Sequence, residues 1–190
     1  PELPEVHTFK QYFDAAALQQ TIMQVDVSDD KIIRSSDGAT FAEKLAGRTF
    51  VSSIRRGKYL FADLDNGHSV LLHFGMTGDL KLYQEEEDRP RFERFAFVFQ
   101  DGNRLGFEDM RKFARINYLE DRDAFIIEKK LGPFLPKETP ANELWIEQEY
   151  FDMNMQRDPR NFRQFVYQTW CYEAPYISRI GDTILIDERD

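Results

Sequence analysis

The feature that most constrains this chain is a succession of seven short apolar segments between residues 49 and 118, broken at close intervals by turn signals. Residues 49–56, 58–64, 68–75, 79–84, 92–100, 103–108 and 113–118 are rich in Phe, Val, Leu, Ile and Tyr. Asp65-Asn66-Gly67 and Asp101-Gly102-Asn103 stand between neighbouring segments as hairpin-type turns. Short strands at this spacing predict an antiparallel sandwich or barrel. Upstream, Val6, Phe9, Phe13, Ala16 and Ala17 recur at helical spacing behind Pro4, which suits a first turn, so a helix is expected over about residues 5–18. Met23, Val25 and Val27 alternate as in a strand, and residues 40–45 read as a short helix closed by Gly47. The acidic run Glu85-Glu86-Glu87-Asp88 reads as a solvated loop. Past Leu131-Gly132-Pro133 the composition shifts to helix formers, with Pro133, Pro136 and Pro140 marking a boundary and helices expected near 141–153 and 159–172.

The chain is long enough for one moderate core with a helical appendage, and 17 Phe in 190 residues make a packed interior the expected outcome. No apolar run approaches a bilayer span and no secretion signal opens the sequence, which predicts a cytoplasmic protein with no membrane partner. Cys171 is the only cysteine, and His7, His68 and His73 are scattered, so neither a disulfide nor a metal site is expected. The net charge of -9 argues against a nucleic-acid partner when taken as a sum. Distribution matters more, because a phosphate track needs only a local stripe of cations. Residues 1–130 carry 19 basic and 23 acidic side chains and residues 131–190 carry 6 and 11, so the excess acidity lies disproportionately in the last third.

Four short stretches carry possible chemistry. Pro1 presents a secondary amine next to Glu2 and Glu5, and terminal amines titrate near pH ~8, which leaves a usable nucleophile. Attack by such an amine on a sugar carbon gives a cationic iminium, an electron sink that permits elimination of phosphate, and Glu2 is suited to protonating the ring oxygen. In Arg55-Arg56-Gly57-Lys58-Tyr59-Leu60 a turn or bulge at the glycine would aim Lys58 inward; a solvated cationic turn is the plainer alternative. In His73-Phe74-Gly75-Met76-Thr77-Gly78 two glycines would present Met76 at a loop tip as a wedge into a base stack, or else bury it beside a turn. In Asp109-Met110-Arg111-Lys112-Phe113-Ala114-Arg115 the interleaved cations and ring could fill the gap of an extruded base, or form a hairpin end with Phe113 in the core.

Together, PELPEV at 1–6, RRGKYL at 55–60, LLHFGMTG at 71–78 and DMRKFAR at 109–115 resemble the formamidopyrimidine-DNA glycosylase and endonuclease VIII family. The resemblance covers about residues 1–133. It implies an α+β fold, with an N-terminal helix leading into a two-sheet antiparallel β-sandwich. It also implies a base-excision DNA glycosylase with abasic-site lyase activity toward oxidised or otherwise damaged bases, needing no metal or soluble cofactor. Carried over by motif, Pro1 is the Schiff-base nucleophile, Glu2 the acid, and Lys58 a catalytic and phosphate-binding residue. Met76, Arg111 and Phe113 match the residues that fill the stack when a base is flipped out, and His73 lies where the family approaches the DNA backbone.

The family continues into a helix-two-turn-helix region and usually a finger. Here residues 134–190 read as a divergent, small helical region, with no zinc finger expected; Ile180-Gly181-Asp182 only faintly matches that region's turn. Phe92 stands where the family often has histidine, flanked by Arg91 and Arg94. Damaged DNA is the expected partner, with a homodimer as one way to supply a missing wall of the cleft. A non-catalytic relative that binds damaged DNA, or a protein partner, is the alternative.

Overall fold

The computed structural model describes residues 1, 3–129, 131, 177–180 and 183–186. Helix α1 (Leu3–Ala17) leads to strand β1 (Ile22–Val27) and helix α2 (Gly38–Leu45). The strands β2 (Phe50–Arg56), β3 (Tyr59–Leu64), β4 (Ser69–His73), β5 (Gly78–Tyr83), β6 (Glu93–Phe99), β7 (Arg104–Asp109) and β8 (Arg115–Leu119) follow. Each falls within a residue or two of a segment read from the sequence. Helix α3 (Arg122–Glu128) was not foreseen; its seven residues are too few to show a helical period, although Asp121 caps it by accepting from Ala124 N at 3.0 Å. The acidic run forms a single exposed 3-10 turn at Glu86–Asp88.

The strands make two four-stranded antiparallel sheets, ordered β1-β6-β7-β5 and β2-β3-β4-β8. Phenylalanine fills the space between them. Phe50 of one sheet meets Phe97 of the other edge to face at 5.2 Å and Phe13 of α1 at 5.0 Å, while Phe74 stacks on Phe107 at 5.4 Å and on Phe9 at 4.3 Å. Burying each such ring stabilises the fold by about 1.5–3 kcal/mol.

A sandwich exposes the edges of both sheets, and here the helices and loops cover them. Helix α1 lies across the β2 and β5 edges, burying Val6, Phe13 and Ala17 completely. The hydroxyl of Tyr12 accepts from Leu82 N on the β5 edge at 2.7 Å. At the opposite side α2 packs on β1, capped by Asp37, which accepts from Thr40 N at 2.7 Å. The stretch before it bridges to β8, where Arg34 N donates to Ile116 O and Ile116 N to Ile32 O. Helix α3 covers part of the outer face of the second sheet, with Phe125 against Tyr59 and Phe61 at 6.0 and 5.9 Å.

Strands β9 (Ile177–Ile180) and β10 (Thr183–Ile186) pair as a short antiparallel hairpin in the stretch read as a helical region. The helices expected over 141–153 and 159–172 lie outside the described residues. Among the described residues no helix is long and apolar enough to cross a membrane.

Candidate functional site

Strand register assembles the site. Arg56 lies opposite Tyr59, Tyr59 opposite His73, and His73 opposite Arg115. Directly opposed residues share a face of a sheet, so these four form one row across β2, β3, β4 and β8. Lys58 joins the row's end from the β2–β3 turn, where Gly57 takes φ +55° and Arg55, itself 6% exposed, donates from Nη1 to Gly57 O at 3.1 Å. A left-handed residue at this turn favours glycine, and a buried guanidinium braces it from inside.

His73 shows how the row is polarised. Its burial, then Arg115, the charged amino terminus and Lys58 together push its pKa down to about 4. The imidazole is therefore neutral near pH 7. Gly75 N–H points at its Nδ1 at 3.2 Å. Arg115 Nη2 stands 3.2 Å from its Nε2. A neutral ring has a single acceptor nitrogen, so it satisfies one of these two N–H donors according to its tautomer. The ring is held edge-on to Tyr59 at 4.9 Å.

Beyond β4 the chain makes a tight loop. Gly75 has φ +59°, and a Cβ there would stand 2.5–2.7 Å from the backbone of Phe113 and Ala114. The loop is thus pressed against the connection between β7 and β8. Asp109, fully buried, ties the two: Thr77 Oγ1 donates to its Oδ1 and Ala114 N donates to its Oδ2 at 2.9 Å. Thr77 Oγ1 accepts in turn from Arg111 N at 3.1 Å. Held on this frame, Met76 is 64% exposed and Phe113 51% exposed. The Arg111 guanidinium spans them, 4.9 Å above the Phe113 ring and donating from Nη1 to Met76 Sδ at 3.5 Å. The neighbouring Lys112, at φ +58°, pairs with Asp29.

Of the residues singled out in the sequence, the charges of the Pro1 amino terminus and of Lys58 both act on His73, and Met76, Arg111 and Phe113 form a contacting cluster on the loops that follow His73. Glu2 lies outside the described residues. Arg94 is committed to the protein, donating from Nε to Asp109 O at 2.9 Å. Sequence reasoning missed Arg115 and Tyr59 as neighbours of His73 and Asp109 as the tie between loops. Only the β3–β4–β8 register brings the first two there, and an aspartate beside an exposed cluster carries no signal of its burial. Among the described residues no group of three His, Cys, Asp or Glu side chains comes together to hold a metal ion.

Fold and site define a helix-capped two-sheet sandwich domain, with a cationic row reached by its amino terminus and an exposed Met-Arg-Phe cluster beside it. The model of the formamidopyrimidine-DNA glycosylase N-terminal domain matches residues 1–116, and the chain belongs to this family. It is 37% identical over 121 residues to formamidopyrimidine-DNA glycosylase of Halalkalibacterium halodurans, covering 63% of this chain and 44% of that protein. It is 35% identical over 143 residues to the Streptococcus thermophilus protein of that name, covering 73% and 51%. Wild-type Lactococcus lactis Fpg (MutM), solved with DNA containing an oxidised pyrimidine, superposes with a TM-score of 0.66 at 25% identity, covering 73% of this chain and 52% of that one. The chain spans about half the length of the curated relatives it matches.

Proposed function

We propose that the chain is a base-excision DNA glycosylase with abasic-site lyase activity, with residues 1–133 the catalytic domain and 134–190 a divergent helical region. The observation that carries this reading is the convergence of the terminal amine's charge, Lys58 and Arg115 on a neutral His73. Such a cationic end suits a phosphodiester, and a nucleophilic amine beside it suits the sugar carbon next to that phosphate. Met76, Arg111 and Phe113 then enter the stack as the damaged nucleotide leaves it.

In this mechanism the Pro1 nitrogen lone pair attacks deoxyribose C1′ as the glycosidic bond breaks and the damaged base departs. Glu2 protonates O4′ as the C1′–O4′ bond opens, giving an iminium whose positive nitrogen acidifies C2′. Loss of a C2′ proton and expulsion of the 3′-phosphate cleave the strand. Lys58 and Arg115, beside His73, hold phosphate oxygens throughout.

Borohydride treatment of the full chain on duplex and single-stranded oligonucleotides carrying an abasic site or an oxidised base tests the chemistry. A covalent adduct mapping to Pro1 is the expected result; a folded protein that forms none on either abasic substrate refutes the lyase. Glu2→Gln is expected to bind the lesion and fail to excise it, and normal excision by that variant would reject the assigned acid. The net charge of -9 favours a second reading, a module that recognises damaged DNA without turning it over. Salt-dependent binding without a trapped product distinguishes it.

A further inference from the structure

We propose that Met76 is a peroxide-sensitive modification site, at which sulfoxide formation locks Arg111 to the loop tip and switches off insertion of the Met76-Arg111-Phe113 cluster. The inference rests on the wedge reading above for its consequence, but the chemistry rests on geometry alone. Among the described residues Met76 is the most exposed methionine, at 64%, against 55% for Met110 and 53% for Met23. It is also the one whose sulfur already receives an N–H, from Arg111 Nη1 at 3.5 Å.

A thioether sulfur is a weak acceptor, so this contact is weak enough for the two side chains to part. Hydrogen peroxide changes that. The sulfur lone pair attacks one peroxide oxygen, the O–O bond breaks, and the other oxygen leaves as water after proton transfer. Sulfur is oxidised by two electrons and the peroxide reduced by two. The product bears a strongly polar S–O group within reach of a guanidinium, where a charge-assisted hydrogen bond replaces the weak one. Arg111 is then held at Met76 and drawn from its place over Phe113, and the wedge must carry a polar oxygen into an apolar base stack.

The test treats the full chain with hydrogen peroxide, maps sulfoxides by peptide mass spectrometry, follows the Arg111 side-chain resonances by NMR, and measures lesion-duplex binding before and after. Met76 is expected to oxidise ahead of Met110 and Met23, with an Arg111 shift absent from Met76→Leu. Binding is expected to weaken roughly tenfold and to return on treatment with methionine sulfoxide reductase and dithiothreitol. Met110→Leu should remain sensitive and Met76→Leu should show no change on treatment, whatever its starting affinity. Oxidation of Met76 without an Arg111 shift, or an equal loss of binding in Met76→Leu, overturns the proposal. If the untreated protein binds no lesion duplex, the wedge reading fails, and with it the proposed consequence; mass spectrometry and NMR still judge the site and the capture of Arg111.

Discussion

His73 holds a neutral imidazole where an exposed histidine would begin to charge, because burial and three nearby cations all oppose protonation. The sign for stability follows directly. Its folded value of about 4 lies below the ordinary 6.5, so in the interval between them the unfolded chain binds more protons than the folded one. The stability this group contributes is fully present above pH 6.5 and is lost as pH falls towards 4. A proton-detected histidine titration of the folded chain should give a midpoint below 5 for His73. A midpoint at 6.5 would mean that the ring, Arg115 and the amino terminus are not packed as described. The same neutrality matters for binding, since the ring adds no charge of its own to Arg115 and Lys58 beside it.

The loop from Phe74 to Gly78 and the connection between β7 and β8 behave as one element, because Gly75 lets their backbones touch and Asp109 bonds to both. Gly75→Ala would put a Cβ within 2.5–2.7 Å of the Phe113 and Ala114 backbone at a left-handed φ. A loss of about 1–3 kcal/mol is expected from the conformation alone, with more from the clash. Chemical denaturation measures it, and tryptic cleavage at Arg111 or Lys112 should accelerate as the loops separate. Unchanged stability with unchanged proteolysis would show that the two loops are not coupled through this contact.

At the scale of the molecule, Phe50 joins the parts: it touches α1 through Phe13 and the opposite sheet through Phe97 and Phe99. Phe50→Ala is expected to cost about 3–5 kcal/mol in one cooperative unfolding transition, and loss of under 1 kcal/mol would deny it that position. The charge distribution makes a separate prediction. A chain of net charge -9 can bind DNA only through a local cationic surface. Affinity should fall steeply with salt, and Lys58→Ala should flatten the log–log salt slope by about one. An unchanged slope removes Lys58 from the phosphate contacts.

The amino-acid sequence determined strands β1–β8 and helix α1 to within a residue or two, because each of those strands is a short apolar run closed by turn residues and α1 repeats its apolar positions at helical spacing; the β9–β10 pair fell in a stretch read as helical. It also placed Pro1, Lys58, His73, Met76, Arg111 and Phe113 in motifs, since those stretches are local in the chain. It did not contain α3, whose seven residues draw their stability from Phe125 on Tyr59 and Phe61 rather than from periodicity. Nor could it choose between a buried and an exposed Met76 or Phe113, because a side chain beside a turn points inward or outward according to what the rest of the fold puts against it. Tertiary structure made that choice by burying the carboxylate of Asp109 between the two loops, and it made Arg115 a partner of His73 through the pairing of β4 with β8, a register that two segments 42 residues apart acquire only when the sheet closes.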